Sequence, residues 1–247
     1  MFQFLNTVII TILLALLLSN SSMAAFDWLQ KGRQLLEGET GTQSQTMSNQ
    51  ELGAGLKEAL RVGAERVVGQ VGTLDGFDAD PKIHIPLPDN LAKPRSILAA
   101  IGYGSLFDDL ELKLNRAAEA AAPEARVLFL NAIEAMTLED VQAIYNGPDD
   151  AATQYFRSKM NTPLREKMQP IVDRSLAEVG ALNSYDTAIG KYKTLPFVPD
   201  VKADLSAYVL DKGLDGIFFY LAREEAAIRQ NPVKRTTELL QKVFGSD

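Results

Sequence analysis

Two groups of charged and amide side chains are the residues of this sequence best suited to chemistry. Each group interrupts a stretch that is otherwise apolar or alanine-rich and has the periodicity of a helix. The first group consists of Asn115, Arg116 and Glu119, and the second consists of Glu224, Glu225, Arg229 and Arg235. Alanines beside the first group allow helices to approach closely, so we expect partly buried, paired charges, a setting that perturbs pKa values. Both groups are candidate binding residues.

Glu119 and Glu225 are the candidate catalytic residues within these groups. Two carboxylates can divide acid and base work when their environments separate their pKa values, and either could then be the general acid of a hydrolase. This hypothesis requires an open cleft that contains at least one of the two carboxylates. If a polar site exists, we expect the two groups to meet across the helical bundle. The structural alternative is a set of ordinary ion pairs, because Glu225 and Arg229 have the i, i+4 spacing that stabilises a helix.

The sequence offers little for metal chemistry. His84 is the only histidine and there is no cysteine, which excludes most zinc and soft-metal sites. Asp75, Asp78 and Asp80 cluster as calcium ligands do, but their spacing departs from that of a calcium-binding helix–loop–helix, and turn formation explains them equally well. We predict no metal site and no cofactor, and we interpret His84 as a surface residue on an edge segment.

Motifs of the common enzyme classes are missing from the sequence as well. There is no P-loop, no Gly-x-Ser-x-Gly and no Ser-x-x-Lys, and Gly102-Tyr-Gly104 lacks the third glycine of a dinucleotide loop. Aromatic residues could instead line an apolar groove between helices: Tyr155, Phe156, Phe218, Phe219 and Tyr220. The favoured hypothesis is a non-enzymatic binding or interaction domain of the cell envelope. The alternative is a carboxylate-dependent hydrolase that acts on an envelope polymer.

Charge limits the partners that such a domain could have. The 247-residue chain has a formal net charge of -7, and its longest run of basic residues is the pair Lys234 and Arg235. These features argue against nucleic acid and anionic lipid surfaces as electrostatic partners. An apolar small molecule or an envelope protein is the expected partner.

The first residues resemble a secretory signal. An apolar run, Val8 to Leu18, is followed by small and polar residues, with Ser22 and Ala24 at the two positions that a signal peptidase requires to be small. We therefore predict a signal peptide over 1–24 and a periplasmic protein. An uncleaved N-terminal membrane tether is the alternative, because residues 1–7 contain no Lys or Arg. Without cysteine there is no lipid anchor.

Helix signals dominate the remainder of the chain. We predict an N-terminal segment and flexible linker over 25–47 and a single helical domain over 48–247. Helix starts are expected at Ser48 with Glu51, Ser105 with Asp108, Pro123, Thr137 with Asp140, and Thr162 with Pro163. Ile83, Ile85 and Leu87 alternate like a short edge strand, with Thr194–Pro199 as its expected neighbour. The predicted fold is all-α, an orthogonal or antiparallel array of about eight to ten helices with at most one short β pairing.

Several phrases of the sequence, in this order, resemble one bacterial family. They are Lys82-Ile-His-Ile-Pro-Leu-Pro-Asp-Asn-Leu91, the alanine-rich stretch 114–125, Met136-Thr-Leu-Glu-Asp140, and the stretches 147–156, 205–218 and 224–232. From about Ser48 to Gly245 the chain resembles the family catalogued as domain of unknown function 4197. The resemblance implies an exported helical domain, and it brings no activity, cofactor or catalytic residue with it.

Overall fold

Seven α-helices and one short 3-10 turn form the part of the chain, 49–197 and 204–231, that the computed structural model describes. The helices are α1 (Asn49–Val71), α2 (Ala92–Ala100), α3 (Ser105–Ala135), α4 (Leu138–Tyr145), α5 (Ala151–Glu178), α6 (Ala181–Lys193) and α7 (Leu205–Gln230), with the 3-10 turn at Asp89–Leu91. No strand occurs within these residues. The predicted all-α class is confirmed, and the described residues contain seven of the eight to ten helices expected for the whole chain.

Two predicted helix boundaries at prolines are absent. The predicted starts at Pro123 and at Thr162 with Pro163 are wrong, because α3 and α5 run straight through them. A proline inside a helix costs about 3 kcal/mol. In α5, Phe156 and Leu164 lie on either side of Pro163 and are both buried, so tertiary packing on one continuous face offsets this cost.

The helix caps predicted at Thr137 and at Ser105 differ in outcome: the first is formed and the second is not. Thr137 and Asp140 form the predicted capping box, in which the Thr137 side chain accepts from the Asp140 backbone N–H. The helix start predicted at Ser105 with Asp108 is confirmed, since α3 begins at Ser105, but these residues form no side-chain cap and Asp108 pairs with Arg95 instead. Ser48 lies outside the described residues. The helix α2, which begins without a side-chain cap, was not expected from the sequence.

The long helix α3 lies at the centre of the array. It packs against α1, α5, α6 and α7. Its Phe129 ring packs edge to face against Phe156 of α5 and Phe218 of α7, with distances between ring centroids of 5.6 and 6.0 Å. Such aromatic pairs add about 0.5–1.5 kcal/mol each beyond their buried area. This aromatic cluster joins the three longest helices.

The predicted edge strand is not formed: residues 81–83 belong to a turn, and residues 84–88 have no regular secondary structure. Ile83, Ile85 and Leu87 are buried and Pro86 between them is exposed, as the alternation predicts. The expected neighbour, Thr194–Pro199, contributes a turn over 194–197, and residues 198 and 199 lie outside the described residues. The segment packs instead between helices α3 and α7.

All described residues belong to one compact unit, Met47–Asp247. The predictions for 1–24 and 25–47 concern residues outside the described ranges. None of the described helices combines the length and apolar character needed to cross a membrane.

Gly216 of α7 sets the distance between that helix and the segment before residue 84. A Cβ atom at Gly216 would lie 2.7 Å from Cε1 of Phe77 and 3.2 Å from Cβ of Ile83. The nearest atom to a Cβ at Gly213, one turn away, would be 4.0 Å distant. Glycine at 216 is therefore required by the close approach, whereas glycine at 213 is not.

We expect Gly216→Ala to lower the free energy of unfolding by about 1–3 kcal/mol, because the added methyl overpacks the contact with Phe77 and Ile83. The matched variant Gly213→Ala should raise it by up to about 1 kcal/mol, since alanine is the better helix former. Urea unfolding followed by circular dichroism measures both. Equal effects of the two substitutions would contradict the close-approach account.

Candidate functional site

The Asn115 side chain makes the two backbone hydrogen bonds to Ile85 that a neighbouring strand would otherwise make. Its Oδ1 accepts from the Ile85 backbone N–H at 2.8 Å, and its Nδ2 donates to the Ile85 carbonyl at 2.8 Å. An antiparallel strand would exchange the same two hydrogen bonds with Ile85. Asn115 is fully buried in α3, so this side chain is committed to holding the segment.

Glu119 performs a similar task one turn further along α3. Its Oε1 accepts from the backbone N–H groups of Phe77 and Asp78 at 3.0 and 3.1 Å. Its Oε2 accepts from Arg116 at 2.7 Å, and Arg116 also donates to Asp75 at 2.6 Å. The hydrogen bonds to Glu119 and Asp75 raise the pKa of Arg116 above its ordinary value. Arg116 and Glu119 thus fasten the turn at 75–78 to α3.

Glu111 belongs to the same arrangement, although the sequence did not indicate it. It accepts from the Leu87 backbone N–H at 3.2 Å and from Arg95 at 3.2 Å, and it lies 3.2 Å from Nε2 of His84. With Asn115 and Glu119 it forms an i, i+4, i+8 row on one face of α3. That spacing is the signal that could have identified it. We call Glu111, Asn115 and Glu119 the polar row.

His84 is half-buried, not the exposed surface residue expected from the sequence. Its Nδ1 lies 2.8 Å from the Asp78 carbonyl, and Glu111 is the neighbour of its other ring nitrogen. The described residues include no group of three His, Asp or Glu side chains arranged to hold a metal ion. Of the aspartates considered as calcium ligands, Asp75 pairs with Arg116 and Asp80 accepts from Tyr220.

Glu225 joins α7 to the beginning of α5. Its carboxylate accepts from the backbone N–H groups of Ala152 and Thr153 at 2.9 and 3.0 Å and from the Thr153 hydroxyl at 3.1 Å. These are among the N–H groups that a helix leaves without intrahelical partners at its N-terminus. Asp150, the residue at the N-cap position, makes no side-chain cap of its own. A residue of another helix therefore caps α5.

Arg229 completes this junction from the next turn of α7. It donates to the carbonyls of Ile144 and Tyr145 at the end of α4, at 2.8 and 3.3 Å, and pairs with Glu225 at 3.1 Å. A helix carries partial positive charge at its N-terminus and partial negative charge at its C-terminus. Glu225 meets the positive end of α5 and Arg229 meets the negative end of α4. The two side chains stabilise both helix ends.

The two candidate groups do not share partners. Glu119 and Arg116 bind the turn at 75–78, whereas Glu225 and Arg229 bind the α4–α5 corner. Glu224 pairs with Arg66 of α1. Arg235 lies outside the described residues. We predicted that the two groups would meet in one polar site. Their hydrogen bonds instead join them to two separate parts of the fold.

A groove of about 640 Å³ lies elsewhere, between α7, the start of α5 and the segment 82–86. Four exposed cationic side chains line it: Lys82, Arg157, Lys212 and Arg223. Two carboxylates, Asp150 and Asp215, also line it. The groove therefore carries a surplus of two positive charges, although the whole chain has a formal net charge of -7. We call it the basic groove.

Lys82, Lys212 and Arg223 form no ion pair with any described residue, whereas Arg157 pairs with Asp215 at 3.1 Å. The Arg157 guanidinium also lies 4.7 Å above the Phe218 ring, and Arg223 lies 5.6 Å from the Phe219 ring. Sequence reasoning missed these cations because they are distributed over 142 positions of the chain, from 82 to 223. Only the fold brings them to one surface.

A second, smaller space lies beside Glu225. It measures about 30 Å³ and is lined by apolar residues of α1, α5 and α7, among them Leu56, Phe156 and Leu221. One or two water molecules need about 10–15 Å³ each by this measure, so the space is too small for an apolar ligand. Phe218 and Phe219, which were expected to line an apolar groove, line the basic groove instead.

Residues 46–245 match the sequence model of a protein family described as "Protein of unknown function (DUF4197)". The chain belongs to this family. The matched range contains the polar row, the Glu225–Arg229 junction and every residue that lines the basic groove. Neither a curated protein nor a solved structure matches the chain. Family membership thus confirms the resemblance noted above and adds no activity.

Replacing Glu225 should test its role as a helix cap. We expect Glu225→Gln to lower the free energy of unfolding by about 1.5–3 kcal/mol, because the charge at the N-terminus of α5 and the pair with Arg229 are lost. The exposed Glu178 at the other end of α5 offers a matched control, and Glu178→Gln should change stability by less than about 0.5 kcal/mol. Chemical denaturation of both variants provides the comparison. A Glu225→Gln protein as stable as the wild type would refute the capping role.

Proposed function

We propose that this protein is a non-enzymatic binding domain of the bacterial envelope that holds an anionic ligand in the basic groove. The observation that carries the proposal is the charge of that groove. Three exposed cations that form no ion pair with a described residue, Lys82, Lys212 and Arg223, face one open space in an acidic protein. Cations gathered in a groove raise the local concentration of an anionic ligand and speed its capture.

The floor of the groove indicates that this ligand also has an apolar part. Phe219, Ala222 and Ala226 line it at helical spacing along α7, and Pro86 lines it from the opposite side. Burying such a surface contributes about 25 cal/mol for each Å². An amphiphilic anion uses both features, because its apolar part covers the floor while its charge meets the rim. The apolar ligand proposed from the sequence is thereby refined to one that carries negative charge.

The envelope location in this proposal depends on the signal-like residues 1–24. A signal peptide would deliver the helical domain to the periplasm. An N-terminal tether would present the same domain at the membrane surface. The binding groove itself, at residues 82–226, is independent of this choice.

The hydrolase alternative gains nothing from the geometry. Neither Glu119 nor Glu225 lines the basic groove, and both carboxylates already accept hydrogen bonds from backbone N–H groups. Each is almost fully buried, at 4% and 8% exposure. A general acid must reach the atom that it protonates. We therefore favour binding over hydrolysis for this domain.

The proposal predicts that 8-anilinonaphthalene-1-sulfonate, an aromatic anion, binds the folded protein and becomes fluorescent. Reversing two rim charges with Lys212→Glu and Arg223→Glu should weaken this binding about tenfold, because two attractions become repulsions. Binding should also weaken as salt is added, since the cations are exposed. Fluorescence titration at low and high ionic strength measures both effects.

The matched control is Lys167→Glu, which reverses an exposed charge of α5 that does not line the groove. Near- and far-ultraviolet circular dichroism establishes that each variant is native. Equal affinity of the wild type and the double variant would overturn the proposal. Native mass spectrometry of protein purified from its own host should in addition reveal an acidic bound species, which the double variant has lost.

A further inference from the structure

The cations of the basic groove do not converge on one point. Lys212 and Arg223 lie eleven residues apart on α7, which is about 16 Å along the axis and three full turns of the helix. They therefore project from the same face, at opposite ends of the groove. Lys82 lies on the facing segment and Arg157 on α5. This spread suits an elongated ligand with several negative charges better than one compact anion.

The groove also continues beyond these cations. A second hollow of about 310 Å³ is lined by Asn161 and Arg165 of α5 and Asp211 of α7. It shares Arg157, Asp215 and Phe218 with the basic groove. The two spaces therefore form one cleft between α5 and α7. A ligand that fills the cleft has to be a chain.

Carboxylates within the cleft restrict the chemistry of that chain. Asp150 and Asp215 line the basic groove, and Asp211 lines its continuation. Asp215 pairs with Arg157 and Asp211 with Arg165, whereas Asp150 forms no ion pair with a described residue. A polymer that carries only negative charge and no donors, such as polyphosphate, would meet repulsion at Asp150. An extended peptide offers backbone N–H groups, one of which Asp150 can accept, while its acidic side chains meet the cations.

We infer that the cleft binds an extended acidic segment of a partner protein, with acidic side chains on the cations Lys82, Arg157, Lys212 and Arg223 and a backbone N–H group on Asp150. The inference rests on the proposed function and names its ligand class. Apolar side chains of the same segment would cover Phe219 and Ala222. The acidic character of the proposed partner segment follows from charge complementarity. The surface of the groove is basic, although the chain as a whole is acidic.

Asp215 competes with the ligand in this arrangement. It pairs with Arg157 across the cleft at 3.1 Å, and both side chains are about half exposed, at 62% and 49%. An exposed pair of this kind is weak and exchangeable. An acidic side chain of the partner therefore competes with Asp215 for Arg157. Removing the Asp215 charge should strengthen binding, provided that the ligand uses Arg157.

The test is a fluorescence anisotropy titration with a fluorescein-labelled (Gly-Glu)6 peptide at low ionic strength. The wild type should bind this peptide and should not bind the uncharged (Gly-Gln)6. Lys212→Glu with Arg223→Glu should weaken binding about tenfold, Asp215→Asn should strengthen it about threefold, and Lys167→Glu should leave it unchanged. Unlabelled polyphosphate of matched charge and phosphatidylglycerol vesicles serve as competitors.

The outcomes separate the two proposals. If polyphosphate or the vesicles displace the dye anilinonaphthalene sulfonate from the groove and (Gly-Glu)6 does not, the groove is an anion site but the peptide inference is wrong. If neither the dye nor the peptide responds to the Lys212 and Arg223 reversals, both proposals fail. If (Gly-Glu)6 binds and Asp215→Asn weakens it, the assigned contact with Arg157 is overturned.

Discussion

The polar row of α3 is the constraint on which the rest of the structure depends. The chain between α1 and the 3-10 turn forms local turns over much of 72–83 and no regular structure over 84–88, and its turn hydrogen bonds do not include the backbone N–H groups of Phe77, Asp78 and Ile85. Phe77 and Ile85 are nevertheless fully buried. A buried backbone group without a partner costs about 1–3 kcal/mol. Asn115 and Glu119 supply partners for both the N–H and the carbonyl of Ile85 and for two N–H groups of the turn. One helix face thus replaces the neighbouring strand that an extended segment ordinarily needs.

The same principle explains the corner between α4 and α5. The N-terminus of α5 and the C-terminus of α4 lie against α7, and each leaves backbone groups without intrahelical partners. Glu225 accepts from the N–H groups of α5, and Arg229 donates to the carbonyls of α4. Glu225 and Arg223 are only two positions apart, but two residues are about 200° around a helix. One side of α7 therefore fastens the fold while the other presents a cation to the basic groove. Buried charge in this protein serves structure, and the charge available to a ligand is on the surface.

How far the sequence predicts this protein depends on the range of the interactions involved. Features set by neighbouring residues were predicted correctly, as the Thr137–Asp140 capping box and the alternating burial of Ile83, Ile85 and Leu87 show. Helix ends at Pro123 and Pro163 were predicted wrongly, because local preference there is overridden by packing on distant elements. Asn115, Glu119 and Glu225 were recognised as unusual, but their roles follow from backbone groups 30 to 73 positions away. The basic groove gave no signal at all, since its cations have no common spacing.

A buried carboxylate and an exposed cation thus demand opposite interpretations in this protein. Glu119 already accepts from two backbone N–H groups and from Arg116, and it lines neither the basic groove nor its continuation. Its burial is explained entirely by the turn that it holds, and a catalytic role would add nothing to that explanation. Lys212 is exposed, forms no ion pair with a described residue and stands at the mouth of a groove with an aromatic floor. Its ammonium group lies 5.8 Å from the centroid of the Tyr208 ring and meets no described carboxylate, so the charge remains accessible to the kind of ligand proposed above.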